Sequence, residues 1–159
     1  MNNRLHFLCG KMASGKSTLS KKLKVEHNAV LFCEDEILKT LYPTEIKTLE
    51  DYVKYSNRVK DMLSDHIIDL LKNGSNVVLD FPANTPKQRA WFNELYQDAW
   101  VRHTLHYIDK SDDICKAQLK IRSKDLPKGS PFTTELEFDH ITKYFESPKE
   151  EEGFDIIIY

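Results

Sequence analysis

Hydrophobic residues along the chain follow two alternating patterns: short apolar runs, and longer stretches in which they recur every three or four positions. The short runs predict five β-strands, at residues 5–9, 29–32, 76–80, 101–108 and 154–159. The longer stretches predict six helices, over residues 17–27, 34–42, 51–71, 84–95, 111–122 and 133–145. Strands that alternate with helices in this way favour a parallel sheet with helices on both faces.

Several helix limits carry capping or breaking residues. Ser111 is placed to cap the fifth helix, and Asn84 or Thr85 the fourth, which has a proline in its first turn. Pro43 stops the second helix, and the Asn-Gly pair at 73–74 closes the long third one. The pattern therefore predicts one α/β domain over residues 1–159, without repeats or linkers.

Composition narrows the class of protein. The 159 residues are 40% hydrophobic and 30% charged, which suits one soluble globular domain. No stretch approaches the ~20 apolar residues of a membrane span, and the N-terminus lacks a signal-peptide layout. Three widely spaced cysteines without a C-x-x-C pair favour reduced thiols, so we expect a cytoplasmic protein. A net charge of −2 provides no overall basic field for nucleic acid.

The segment GKMASGKS, at residues 10–17, fits the phosphate-binding pattern G-x-x-x-x-G-K-[ST] and lies between a predicted strand and a predicted helix. Glycines let successive backbone N–H groups point inward, and the helix adds its positive end. Lys16 then reaches the β- and γ-phosphates, and the Ser17 hydroxyl ligates magnesium. We therefore expect ATP and Mg²⁺ to bind through Gly10, Lys11, Met12, Ala13, Ser14, Gly15, Lys16, Ser17 and Thr18. The alternative is a flexible turn with an incidental lysine.

Acidic residues follow the second and third strands, at the sheet edge where ligands bind in such folds. Asp35, between Glu34 and Glu36, is placed to accept the proton of a substrate hydroxyl, although the three acids also suit a helix start. Asp80 ends an apolar strand and is expected to help hold magnesium, a capping or loop acid being the alternative.

Basic residues cluster between the fourth and fifth strands, at Lys116, Lys120, Arg122, Lys124 and Lys128. In a small kinase this is where a mobile lid brings an arginine onto the transferring phosphoryl group, and Arg122 is our candidate. The alternative is a solvated helix face. The histidines show no metal-ligand spacing, because His103 and His106 point to opposite faces of a strand.

The segments FLCGKMASGKSTL (7–19), CEDE (33–36) and VVLDFPANTPKQRAW (77–91) carry a family resemblance. The chain resembles the small P-loop kinases related to phage polynucleotide kinases, zeta toxins and chloramphenicol phosphotransferases, and more closely the single-domain AAA_33-like group. The resemblance implies a P-loop NTPase fold of the nucleoside-monophosphate-kinase type, an α/β/α sandwich with a five-stranded parallel sheet of order 2-3-1-4-5.

By the same resemblance, Lys16 and Ser17 match the family's phosphate lysine and magnesium hydroxyl, and Asp35 its hydroxyl-activating aspartate. Asp80 matches the acid that ends the third strand, and Arg122 the lid arginine. The chain departs from the pattern at Gln118, where an arginine is expected. The lid's phosphate contact therefore depends on Arg122.

Three functions remain open at this point. The first is a kinase that moves the γ-phosphate of ATP to a hydroxyl of a small molecule, and the second is a polynucleotide 5′-kinase. The third is an ATPase or nucleotide switch without an acceptor. Asp35 favours the kinases, since a switch needs no general base there, and the sequence pI of about 6.3 favours a small acceptor.

Overall fold

All five predicted strands and all six predicted helices are present in the computed structural model, which describes residues 2–159. The strands are β1 (Arg4–Cys9), β2 (Val30–Cys33), β3 (Val77–Pro82), β4 (Arg102–Tyr107) and β5 (Ile156–Ile158). The helices are α1 (Lys16–Glu26), α2 (Glu34–Leu41), α3 (Leu49–Lys72), α4 (Pro86–Ala99), α5 (Asp112–Ser123) and α6 (Glu135–Thr142), with a 3₁₀ turn at Glu150–Glu152.

The strands form one sheet of order β2-β3-β1-β4-β5, and every neighbouring pair is parallel. This confirms the predicted order 2-3-1-4-5. Because all strands run in the same direction, their carboxyl ends meet at one edge of the sheet. The loop after β1, the acids after β2, Asp80 and the predicted lid segment after β4 (α5, the lid loop at residues 124–134, and α6) therefore share that edge. β3 continues two residues beyond Asp80, the residue predicted to end it.

The two faces of the sheet bury different helices. Leu5 and Phe7 of β1 point to the face covered by α2, α3 and α4, where Phe7 stacks on Phe92 at 4.5 Å. Leu8 points to the opposite face and packs with Leu23 of α1. This alternation along a buried strand gives the three-layer α/β/α arrangement that the sequence predicts.

Capping residues explain where some helices begin and why one start differs from its predicted position. α3 begins at Leu49, two residues earlier than predicted, because Thr48 and Asp51 form a capping box at its start. Thr85 caps α4 by accepting a hydrogen bond from the Gln88 N–H, which leaves the Asn84 side chain for another contact. None of the helices within residues 2–159 has the length and apolar character that a bilayer crossing requires.

Candidate active site at the carboxyl edge of the sheet

The loop between β1 and α1 adopts an unusual backbone conformation at its tip. Ala13 and Gly15 both have positive φ angles, of 61° and 104°, which curl the chain tightly. Gly15 is also the N-cap of α1 and has no side chain to occupy the first-turn N–H groups. These groups and the helix dipole therefore remain for an anion. At the loop's start, a Cβ on Gly10 would lie 2.5 Å from the Ser14 Oγ, which explains why glycine is needed there.

Lys16 folds back across this loop. Its Nζ donates hydrogen bonds to the carbonyl oxygens of Gly10, at 2.6 Å, and Lys11, at 2.9 Å. Burial lowers the pKa of Lys16 to about 8, with Asp80 opposing this shift and Arg122 adding to it. Neutral carbonyl groups thus hold the lysine at the loop. Negatively charged phosphate oxygens would bind the ammonium group more strongly and replace them.

Ser17 and Asp80 lie together, as their predicted roles require. The Ser17 Oγ donates to the Asp80 Oδ2 at 2.9 Å, and the Ser20 Oγ donates to the same oxygen at 3.2 Å. Asp80 is only 8% exposed, and Cys33, its register partner on β2, places its Sγ 3.7 Å from the same oxygen.

The donor chemistry at Ser17 and Asp80 fits Mg²⁺. One hydroxyl and one carboxylate are the hard oxygen ligands that Mg²⁺ takes when phosphates and waters complete its shell. Within residues 2–159, no group of three or more histidine, cysteine or acidic side chains is arranged as a metal cage.

Asp35 and its neighbour Glu34 occupy contrasting environments. The Asp35 side chain is 73% exposed and pairs with Lys39 at 2.8 Å, one turn along α2. Glu34 is 4% exposed and accepts hydrogen bonds from Tyr52 and Ser56 of α3. α2 buries the side that carries Glu34 and Leu38, so Asp35 projects away from it. The role of Asp35 as a base stays a prediction.

The lid segment packs directly on the phosphate loop. Met12 and Ala13 of the loop contact Cys115 and Leu119 of α5, together with Phe138 of α6. Arg122 follows Leu119 by three residues and Cys115 by seven, so it continues the stripe of α5 that faces the loop.

The basic residues around α5 differ in their partners. The charge of Arg122 lies near enough to Lys16 to contribute to its lowered pKa, after the larger effect of burial. Lys116, by contrast, is paired with Asp139 at 2.8 Å and ties α5 to α6. Gln118 is half-buried on α5. Arg122 is thus better placed for an anion at the loop than Lys116.

Two residues that the sequence analysis did not assign to the site, Asn84 and Arg89, support it. The Asn84 Oδ1 accepts from the Gly10 N–H at 2.9 Å, and so fixes the first residue of the phosphate loop. Arg89 is completely buried and donates both to the carboxylate of Glu152 and to two backbone carbonyls, those of Ala83 and Glu146. These bonds fasten the chain after α6 to the loop that follows β3. An arginine in a polar helical stretch gives no sequence signal of such burial.

Comparisons with known proteins identify the family and the fold of this chain. The model of the AAA domain family AAA_33 matches residues 5–148. No curated protein matches the chain.

Among solved structures, a sugar kinase from Janibacter sp. HTCC2649 is 15% identical with a TM-score of 0.66, over 99% of this chain and 84% of that one. A gluconokinase from Sinorhizobium meliloti 1021 is 14% identical with a TM-score of 0.59, over 99% and 82%. Kti12 from Chaetomium thermophilum, in complex with ADP-AlF3, is 15% identical with a TM-score of 0.66, over 98% and 88%. At these identities the likeness shows the fold.

Proposed function

Because this chain belongs to the AAA domain family AAA_33, we propose that it is a kinase that transfers the γ-phosphate of ATP to a hydroxyl group of a small molecule. One observation carries the proposal: Ser17 and Asp80 meet at 2.9 Å beside the loop that holds Lys16. The kinase folds among its structural neighbours support a nucleotide-binding, kinase-like protein. The acceptor and the role of each residue are our proposal.

The nucleotide half of the mechanism follows from the loop. The N–H groups of residues 15–18, at the loop tip and in the first turn of α1, bind the phosphates, and the Lys16 Nζ exchanges its carbonyl partners for oxygens of the β- and γ-phosphates. Ser17 and Asp80 hold Mg²⁺, which when bound neutralises the phosphate oxygens. Arg122 stabilises the negative charge on the transferring phosphoryl group from the lid side.

The transfer step requires a proton acceptor. The acceptor hydroxyl oxygen forms a bond to the γ-phosphorus, the bond from that phosphorus to the β,γ-bridging oxygen breaks, and ADP leaves. The hydroxyl proton passes to Asp35, whose exposed carboxylate is free to exchange its surface pair with Lys39 for a substrate. The net charge of −2 favours a small acceptor over a polynucleotide end.

The test combines an acceptor screen with three variants and a matched control. Purified protein is incubated with Mg²⁺ and γ-labelled ATP against nucleosides, aminoglycosides, sugars and oligonucleotide 5′ ends. Asp35→Asn is expected to keep ATP affinity and lose transfer by ~10²–10⁴, the range of general acid–base catalysis. Glu36→Gln, at another exposed acid in the same helical turn, is the control and is expected to transfer normally.

Lys16→Ala and Asp80→Asn are expected to behave differently from Asp35→Asn, because both remove contacts to the nucleotide or its metal. Both variants should weaken MgATP binding, measured by calorimetry, as well as turnover. Transfer at the parent rate by Asp35→Asn rules out the proposed base. If only oligonucleotide 5′ ends are labelled, the acceptor is a polynucleotide and not a small molecule. If no acceptor is labelled, and ATP is hydrolysed at the same rate by the parent and by Asp35→Asn, the protein is an ATPase.

A further inference from the structure

Glu34 is a buried acid that the proposed mechanism does not use. It is the first residue of α2, and both carboxylate oxygens are engaged by α3: Oε1 by the Tyr52 hydroxyl and Oε2 by the Ser56 Oγ at 2.6 Å. A buried carboxylate is costly unless it is fully hydrogen-bonded, whereas an apolar residue here would simply pack. Through its hydrogen bond, Glu34 therefore fixes the position of the Tyr52 side chain, which apolar packing alone would leave free to move.

The Tyr52 ring contacts the lid segment. Phe132, in the loop between α5 and α6, meets it edge to face, with ring centroids 6.1 Å apart and an angle of 72°. Phe132 has a φ of 60°, a conformation that bulky residues rarely adopt. The Glu137 carboxylate holds it there by accepting a hydrogen bond from the Phe132 N–H at 2.5 Å. Glu137 also forms the capping box of α6 with Thr134.

The contact joins the two sides of the candidate site. The lid loop follows α5, which carries Arg122, and α3 follows α2, which carries Asp35. We propose that Glu34 is a positioning residue for the acceptor side of the site: it orients Tyr52, on which Phe132 docks, and so holds the lid loop against α3. The link to the acceptor rests on the proposed function, but docking of the lid loop does not.

The experiment measures lid docking without nucleotide or acceptor. Lys124 and Lys128 are exposed in the lid loop, so tryptic cleavage after them, identified by fragment mass, reports its undocking. The variants are Tyr52→Phe, which keeps the ring and loses the hydroxyl to Glu34, Phe132→Ala, and the two combined. Tyr55→Phe is the matched control, because Tyr55 lies on the same helix and packs on Tyr42 instead.

We expect Phe132→Ala to speed cleavage at the two sites roughly three- to tenfold, the range of a lost aromatic pair. Tyr52→Phe should speed it similarly, the double variant should be no faster than Phe132→Ala, and Tyr55→Phe should leave the rate unchanged. This non-additivity distinguishes positioning from a general loss of stability, which would add. Hydrogen exchange over residues 124–134, with each variant's unfolding midpoint, provides a second measurement.

The proposal is overturned if Tyr52→Phe cleaves at the parent rate, if the two effects add, or if Tyr55→Phe is equally fast. Because no ATP is present, each of these results is independent of whether the protein transfers phosphate. MgATP affinity of the parent and of Tyr52→Phe, measured by calorimetry, should be equal. Failure of the parent to bind MgATP would overturn the proposed function and leave the docking result standing.

Discussion

His6 and His106 form a buried pair on the α1 face of the sheet, and we predict that they make the protein less stable in mild acid. The His6 Nδ1 and the His106 Nε2 lie 3.0 Å apart, and both side chains are 2% exposed. Burial, aided by nearby positive charge from His27 and Arg4, lowers the pKa of His6 to about 3 and that of His106 to about 4. Charging both rings would set two N–H donors against each other.

The direction and the magnitude of the pH effect on the free energy of unfolding follow from these pKa values. The unfolded chain takes up protons near the ordinary histidine pKa of about 6.5, whereas the folded chain does so only near pH 3 to 4. The stabilisation is therefore complete above about pH 6.5 and is lost as the pH falls below it. At pH 5 each histidine costs about 2 kcal/mol of unfolding free energy, or about 4 kcal/mol for the pair.

The perturbation is His106→Gln, which keeps a polar nitrogen near His6 but does not titrate. Urea unfolding at pH 7 and pH 5, followed by tryptophan fluorescence, gives the loss of stability between the two. That loss should be smaller in the variant than in the parent by about 2 kcal/mol, whatever the variant's stability at pH 7. His66→Gln, at an exposed site on α3, should lose as much as the parent. An equal loss in His106→Gln and the parent would refute the reasoning.

Two further predictions concern the supports of the phosphate loop. Gly10→Ala should weaken MgATP binding roughly tenfold, because its Cβ would meet the Ser14 Oγ at 2.5 Å, and adding Ser14→Ala should restore part of the affinity in calorimetry. If the second substitution restores no MgATP affinity, the contact with the Ser14 Oγ is not the cause of the loss. Arg89→Met should cost about 3 kcal/mol or more in urea unfolding, since it strands the Glu152 carboxylate and two carbonyls. Glu152→Gln should cost less, because the amide still accepts from Arg89; equal losses would contradict this.

The fold and the nucleotide side were predictable because their signals are local. The apolar strand runs, the caps and the phosphate loop each depend on residues close together in sequence, and the structure places each within a few residues of where the pattern indicates. His103 and His106 also point to opposite faces as expected: His103 stacks on Tyr96 of α4, and His106 bonds to His6 on the other face. Parallel strands then bring Asp80 to Ser17 without any further information.

The supporting residues could not be predicted in the same way. The three acids after β2 look alike in sequence, and only packing of α2 on α3 makes Glu34 the buried one. Its spacing of four from the apolar Leu38 was the available signal. Arg89 is buried because a distant acid, Glu152, comes to meet it, and no local pattern encodes a partner so far along the chain.

The two halves of the candidate site therefore depend on different parts of the sequence. The loop from Gly10 to Thr18 is proposed to hold the nucleotide largely with its own backbone, and two distant contacts, from Ser17 to Asp80 and from Gly10 to Asn84, fix it in place. The proposed acceptor side is built almost wholly from distant contacts, among Glu34, Tyr52 and Phe132. If the proposed function holds, we expect substitutions in α3 or the lid loop to change which hydroxyl is accepted without disturbing ATP binding. The proposed acceptor is thus better sought from the α3 and lid residues than from the phosphate loop.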